Sequence, residues 1–270
     1  MNKFCIITNK SKDASLEVTH RIQRYIEGKG KECILANDGK NVPEDVECVL
    51  VLGGDGTLIR AARELLLVDI PMIGINLGTL GYLAEIELQN FEKAIDQLLT
   101  DTNVIEERMM LKGKLNGKFE DVALNDIVIT RLGTLRVIRF KVYVNGELLN
   151  SYQADGIIIS TPTGSTGYNL SAGGPIVAPT ASMIVMTPIC SHALNTSSIV
   201  LSADDVIEIE IGPGRDGMIE EAGVSFDGDR NIEVHTGDRI RIEKAKDTTK
   251  LLKLSKVSFL EILRKKMKGN

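Results

Sequence analysis

Few features constrain this chain more than Gly53-Gly54-Asp55-Gly56-Thr57, three glycines around one carboxylate between an apolar run and an amphipathic stretch. Cys48-Val49-Leu50-Val51-Leu52 has the unbroken hydrophobicity of a strand covered on both faces. Beyond the glycines, Leu58, Ala61, Ala62, Leu65 and Leu66 recur at helical spacing. The loop therefore joins the end of a buried strand to the start of a helix, where an open α/β sheet receives its ligands. Glycine lets the backbone lie close to a bound group, and the first N–H groups of a helix lack internal partners, so phosphate is a favoured guest. Such turns also occur simply to reverse the chain, and this one segment leaves that reading open. It is not a P-loop, because no G-x-x-x-x-G-K-[ST] occurs. Nor is it the dinucleotide fingerprint, whose third glycine, counted from Gly54, would fall on Ile59. A lone aspartate among glycines, without a P-loop lysine, suits a carboxylate that acts on a hydroxyl or holds a metal ion.

A second glycine-rich segment, Asn76-Leu77-Gly78-Thr79-Leu80-Gly81, follows a second buried strand, Met72–Ile75. Two such strand ends in succession predict a crevice. A third cluster begins at Asp155-Gly156, passes through the apolar Ile157-Ile158-Ile159 and enters Ser160–Tyr168, with five serine and threonine hydroxyls in nine positions. Hydroxyls and turn N–H groups at that density suit a polyhydroxylated, phosphorylated ligand. Asn125-Asp126 interrupts an otherwise apolar strand, and polar groups in such a place need a partner, be it a ligand or the hydrogen bonds of a β-bulge.

The alternation of elements divides the chain. Up to about residue 104 it predicts strand Phe4–Thr8, helix Ser15–Glu27, strands Glu32–Ala36 and Cys48–Leu52, helix Leu58–Leu66, strand Met72–Ile75 and helix Phe91–Leu99 with Asn90 as its cap. That is an open α/β sheet. From Ile105 short alternating segments take over: Met110–Leu115, Val122–Thr130, Arg136–Val144, Gly156–Ser160, Met183–Thr187, Val206–Ile211 and Arg239–Ile242. Asn116-Gly117 and Asn145-Gly146 are hairpin turns, which argues for an all-β domain over 105–254. Lys256–Lys266 returns to helix.

With 270 residues, 43% of them hydrophobic, the chain can fill one large core or two modest ones. Its net charge of −5 and lack of a long basic run argue against polynucleotides and anionic membranes as partners. The one basic cluster, Arg264–Lys268, ends the last helix and reads as a solvated face. No apolar stretch approaches the roughly 18 residues of a membrane span, and Met1–Thr8 is too short for a signal peptide, so a cytoplasmic protein is expected. Cys5, Cys33, Cys48 and Cys190 form no C-x-x-C pair and are expected as free thiols.

Taken together, GGDGT, G-x-N-x-G-x-L-G, Asn125-Asp126, and ADG followed by STPTGSTGYNLSAGGPIV resemble bacterial NAD kinases, in that family's order, from the first strand to about Ile242. The resemblance implies a Rossmann-like N-terminal domain (1–104), a β-sandwich-like C-terminal domain (105–254) and a C-terminal helix (255–270) that returns to the first. It implies transfer of the γ-phosphoryl group of ATP to the 2′-hydroxyl of the adenosine ribose of NAD, with Mg²⁺ or another divalent ion, in a homotetramer or dimer. Asp55 becomes the base that accepts or orients the hydroxyl proton. Gly53, Gly54, Gly56, Gly78 and Gly81 let the backbone approach the triphosphate, beside Asn76, and Arg60 contacts the dinucleotide. Asn125 and Asp126 meet adenine and ribose. Asp155, Thr163, Ser165, Thr166, Gly167, Tyr168, Asn169, Leu170 and Ser171 hold the rest of NAD, and His192 lies by the phosphates. No residue is assigned to metal.

Three positions depart from the family pattern: Gln153 stands for an arginine before A-D-G, Asp229 for a glutamine after D-G, and Ser197-Ser198 for Arg-Pro. Arg136, where relatives often carry histidine, is the candidate for the displaced positive charge. Two other readings share these residues. Because GGDGT recurs in lipid kinases, the acceptor could be a lipid or sphingoid base, against which the hydroxyl-rich run argues. A non-catalytic dinucleotide sensor is the other, against which an intact Asp55 argues.

Overall fold

The computed structural model describes the chain except residues 67, 79, 80, 101, 102, 134–136, 192–196, 255, 256 and 268–270. It divides into two compact units, Met1–Arg108 with Thr248–Asn270, and Met109–Asp247.

The first unit runs β1 (Lys3–Thr8), α1 (Glu17–Gly28), β2 (Glu32–Ala36), β3 (Cys48–Gly53), α2 (Asp55–Leu65), β4 (Met72–Asn76), β5 (Ile86–Glu87), α3 (Phe91–Leu98) and β6 (Val104–Arg108). The second runs β7 (Leu111–Leu115), β8 (Phe119–Ala123), β9 (Asp126–Arg131), β10 (Ile138–Val144), β11 (Glu147–Ala154), β12 (Gly156–Ser160), α4 (Tyr168–Ser171), β13 (Met183–Ile189), β14 (Ile199–Ser202), β15 (Ile207–Ile211), β16 (Glu221–Phe226), β17 (Asn231–His235) and β18 (Arg239–Lys244). The chain then re-enters the first unit with β19 (Thr249–Lys253) and α5 (Phe259–Met267).

Sheet order in the first unit is β2-β1-β3-β4-β19-β6, with β5 also on β4. Every pairing is parallel except β19 with β6. Every residue of β3 and β4 is buried, as a parallel sheet covered on both faces requires. α1 buries Ile22 and Ile26, α2 buries Leu58, Ala61, Ala62 and Leu65, and α3 buries Phe91, Ala94, Ile95 and Leu98. Each large apolar side chain so enclosed contributes roughly 1.5–3 kcal/mol. α2 begins at Asp55, three residues before the start expected from its apolar stripe, so the carboxylate belongs to the first helical turn. Asn90 precedes α3 without a side-chain cap bond. Cys5, Cys33 and Cys48 are buried free thiols, and Cys190 is an exposed one. Burial pushes Cys5 up to about 11 and Cys33 up to about 12, which keeps them protonated and inert.

Two antiparallel six-stranded sheets make the second unit, ordered β11-β10-β15-β18-β7-β8 and β14-β13-β12-β9-β16-β17. Leu111, Phe140, Val142, Ile209 and Ile240 from the first meet Ile129, Ile157, Ile159, Met186 and Val224 from the second in one core, the packing of a β-sandwich. Both Asn-Gly pairs adopt positive φ at each residue, 49° and 68° at Asn116-Gly117 and 52° and 85° at Asn145-Gly146, closing β7–β8 and β10–β11 as the turn chemistry predicts. No described helix is long and apolar enough to cross a membrane.

Candidate active site

Each unit carries a cluster of its own. In the first, the ends of β1 and β3 and the start of α2 surround a cleft of about 1010 Å³ that includes Gly54, Asp55, Gly56 and Arg60. Asp55 is held in place: its carboxylate accepts the N–H groups of Tyr82 (2.7 Å) and Leu83 (3.2 Å). The backbone of Gly81 lies so close that a Cβ there would stand 2.0–2.2 Å from the Asp55 carboxylate. The glycines of the motif therefore divide by role. A Cβ on Gly53 would strike the Thr57 hydroxyl at 2.3 Å, so Gly53 serves packing, whereas a Cβ on Gly56 would meet nothing within 4 Å and its backbone faces open space. Asn76 is buried and closes a ring with Gly78, its Nδ2 donating to Gly78 O (2.8 Å) and its Oδ1 accepting from Gly78 N (3.0 Å). Asn76 and Gly78 border a neighbouring cleft of about 610 Å³.

Sequence reasoning missed the segment that faces Asp55 in this cleft, Thr8 to Lys12 at the end of β1. Its signal was available: a polar run containing Asn9 and Ser11 directly after a buried strand, the same arrangement as at β3. Among the described residues, Lys10, Lys12, Arg60 and Lys266 border the cleft and Asp55 is the one acidic side chain lining it, an excess of cations that suits a polyanion.

In the second unit the strand expected over Val122–Thr130 is broken at Leu124-Asn125 into β8 and β9. The cause is Asp227, whose carboxylate accepts the N–H groups of Leu124 (2.8 Å), Asn125 (2.7 Å) and Asp126 (3.1 Å). The Asp227-Gly228 pair, at φ 53° and 67°, is a turn the D-G dipeptide could have announced. With its backbone so anchored and its carbonyl accepting from Thr161 N (2.8 Å), Asn125 makes no side-chain hydrogen bond to the described residues. Its Nδ2 lies 3.6 Å from where a Gly167 Cβ would stand. Asp126 is 5% exposed, and burial, then the neighbouring Asp227, push its carboxyl up to about 7.

The hydroxyl-rich run folds as a short turn of helix over Thr163–Thr166 followed by α4. Tyr168, Leu170 and Ser171 are exposed, Thr166 and Gly167 half-buried, and Thr163 buried. Ser165 and Asn169 are fully enclosed and bonded within the protein. Ser165 Oγ donates to Pro162 O (2.7 Å) and accepts from Val177 N (3.0 Å). Asn169 donates to Ser165 O (3.1 Å) and Pro175 O (3.0 Å) and accepts from Thr187 Oγ1 (2.7 Å). These two shape the turn that presents their neighbours.

Gln153 and Asp155 border a different cleft, of about 910 Å³, together with Arg139 and Arg215. Asp155 pairs with Arg131 (2.9 Å), and Arg139 stands directly opposite Gln153 in the β10–β11 register. Neither arginine was singled out from sequence. Arg136 and His192 lie outside the described residues. Asp229 is exposed in the turn after β16.

The described residues around Asp55 do not fit a protein-held divalent ion. Asp55 is the one carboxylate among the described residues lining its cleft, with no histidine or cysteine beside it, and the one grouping of three metal-capable side chains among the described residues, Glu221, Glu233 and His235, is exposed on β16–β17.

A parallel sheet whose strand ends carry glycine turns, a fixed carboxylate in a cation-lined cleft and a sandwich presenting an anchored asparagine define a nucleotide-dependent phosphotransferase. The ATP-NAD kinase N-terminal domain matches residues 38–103 and the ATP-NAD kinase C-terminal domain residues 124–254. This chain belongs to the ATP-NAD kinase family. It is similar to the NAD kinase of Agathobacter rectalis, 51% identical over 100% of this chain and 99% of the relative. The NAD kinase of Lachnoclostridium phytofermentans is 47% identical over 98% of this chain and 99% of its own. In fold it resembles an NAD kinase from Archaeoglobus fulgidus solved in complex with ATP, with a TM-score of 0.81 at 24% identity over 98% of both chains.

Proposed function

We propose that this protein transfers the γ-phosphoryl group of ATP to the 2′-hydroxyl of the adenosine ribose of NAD. The 2′-oxygen forms a bond to the γ-phosphorus, the bond from that phosphorus to the β,γ-bridging oxygen breaks with its electrons leaving on ADP, and the hydroxyl proton passes to Asp55. The observation that carries this reading is the Asp55 carboxylate, fixed by two N–H groups in a cleft that Lys10, Lys12, Arg60 and Lys266 border. Phosphoryl transfer asks a protein mainly for alignment and for stabilisation of charge, and both are built here. Asn125, anchored by Asp227 and with its carboxamide uncommitted, is assigned to the adenine together with Thr163, with Thr166 and Tyr168 around the ribose and pyrophosphate. A divalent ion, where the reaction uses one, is assigned to the phosphates of the nucleotide, since magnesium commonly binds through substrate phosphates. The family resemblance supports a homo-oligomer, tetramer or dimer, in the cytoplasm, and light scattering on the purified protein tests the first.

Purified protein given ATP, Mg²⁺ and NAD should form NADP, read by a coupled NADP-specific dehydrogenase. Labelled phosphate appearing in a lipid extract instead of in NADP would overturn the choice of acceptor.

A further inference from the structure

The glycine motif lacks the lysine that P-loops carry within the loop itself, yet phosphoryl transfer needs a cation on the donor. We propose that Lys12, on the β1–α1 loop, is the residue that holds the terminal phosphates of the donor in the cleft beside Asp55. The assignment rests on the kinase reading and names the donor side of the same site.

Its loop is built as a rigid arm. Asn9 N donates to Leu52 O (2.8 Å), tying the loop to the end of β3, and Asn9 Nδ2 donates to Thr57 Oγ1 (3.1 Å) in the first turn of α2. Asn9 Oδ1 accepts from Ser11 N (3.0 Å) and Ser11 Oγ (2.7 Å), and Asn9 O accepts from Lys12 N (2.9 Å) and Asp13 N (3.2 Å). Asp13, buried, ends the arm by accepting from Thr19 N (2.9 Å) and Thr19 Oγ1 (2.7 Å) in α1. The backbone of Lys12 is thereby fixed relative to the glycine motif it faces.

The side chain then reaches both glycine turns at once. Lys12 Nζ lies 3.2 Å from where a Cβ would stand on Gly54 and the same distance from one on Gly78. A Cβ at either place would crowd the ammonium and push it aside by a few tenths of an ångström. The other cations of the cleft are engaged: Lys10 donates to Asn37 Oδ1 (2.9 Å), Arg60 stands 4.0 Å from Glu64, and Lys266 lies over the Tyr82 ring at 5.5 Å. The Lys12 ammonium makes no hydrogen bond or ion pair with the described residues, so its charge is available to a ligand. An ammonium over the glycine turn that opens α2, where the first N–H groups of a helix lack i−4 partners, reproduces the cation-plus-amide environment of a P-loop with the lysine supplied from a different strand end.

The test compares Lys12→Gln and Lys12→Arg with the parent, varying ATP and NAD separately and measuring ATP affinity by calorimetry without NAD. Loss of a charge-assisted hydrogen bond should weaken ATP by roughly tenfold or more, with the KM for NAD within about twofold and the melting temperature unchanged. Lys12→Arg, which keeps the charge, should recover much of the ATP affinity. ATP affinity within about twofold of the parent in Lys12→Gln would overturn the proposal. So would equal weakening of ATP and NAD, or weakening accompanied by a lowered melting temperature, as a structural lysine would give. The kinase reading fails separately, if the parent protein binds ATP in a Lys12-dependent manner but forms no NADP.

Discussion

Asp55 shows how one side chain can be fixed in place by its neighbours' backbones. Two N–H groups, from Tyr82 and Leu83, fix both carboxylate oxygens, and Gly81 is glycine because any Cβ would collide with them. General-base assistance is worth typically ~10²–10⁴-fold. Asp55→Asn keeps the shape and removes the basic oxygen, so turnover should fall by at least about 100-fold with NAD affinity little changed. Steady-state kinetics paired with NAD titration checks this, and near-normal turnover would remove Asp55 from the chemistry. The contrast between Gly53 and Gly56 belongs to the same scale. Identical residues three positions apart do different jobs, one making room for Thr57 and the other leaving backbone open to the cleft.

Among elements, β9 is the informative one, because it begins with a buried acid. Asp126 lies beside Asp227, which is committed as a carboxylate by three N–H donors, so Asp126 is the member of the pair that keeps its proton. Its folded value of about 7 lies above the 3.8 of an unperturbed aspartate. Between those two values the native chain holds a proton that the unfolded chain has released. The stability this contributes is full below about pH 4 and is lost as pH rises through about 7. Asp126→Asn cannot ionise, so its stability relative to the parent should improve between pH 5 and pH 8, by at most about 3 kcal/mol. Urea unfolding at the two pH values reads the difference, and an equal effect at both would contradict the buried-acid account.

For the molecule as a whole, the consequential strand is β19, which comes back after the entire sandwich to lie between β4 and β6. Leu251 and Leu252 are 4% and 1% exposed there, and Leu252 joins the core formed by Phe4, Ile22, Leu50 and Phe91. Leu252→Ala should therefore destabilise the first unit by about 2–5 kcal/mol, although its core partners lie far away along the chain. Denaturant unfolding followed by hydrogen exchange in β1 and β3 measures this. Unchanged protection in those strands would show that β19 closes the sheet without supporting it.

The strand–loop–helix frame of residues 53–57 was legible because the clues are local. A buried strand, a run of glycines and a helical stripe occupy nineteen consecutive positions, Cys48–Leu66, and the periodicity of each is set by its own backbone. The Asn-Gly hairpins were legible for the same reason, since positive φ is a property of two adjacent residues. Tertiary structure alone decided which distant groups meet: Asp227 gripping 124–126, Lys12 standing over Gly54 and Gly78, Asn169 turned into the core, and β6 and β19 joining the first sheet. Each of these is a pairing between segments whose own patterns permit several partners. Burial of the whole chain, with its demand that every enclosed polar group be bonded, selects one.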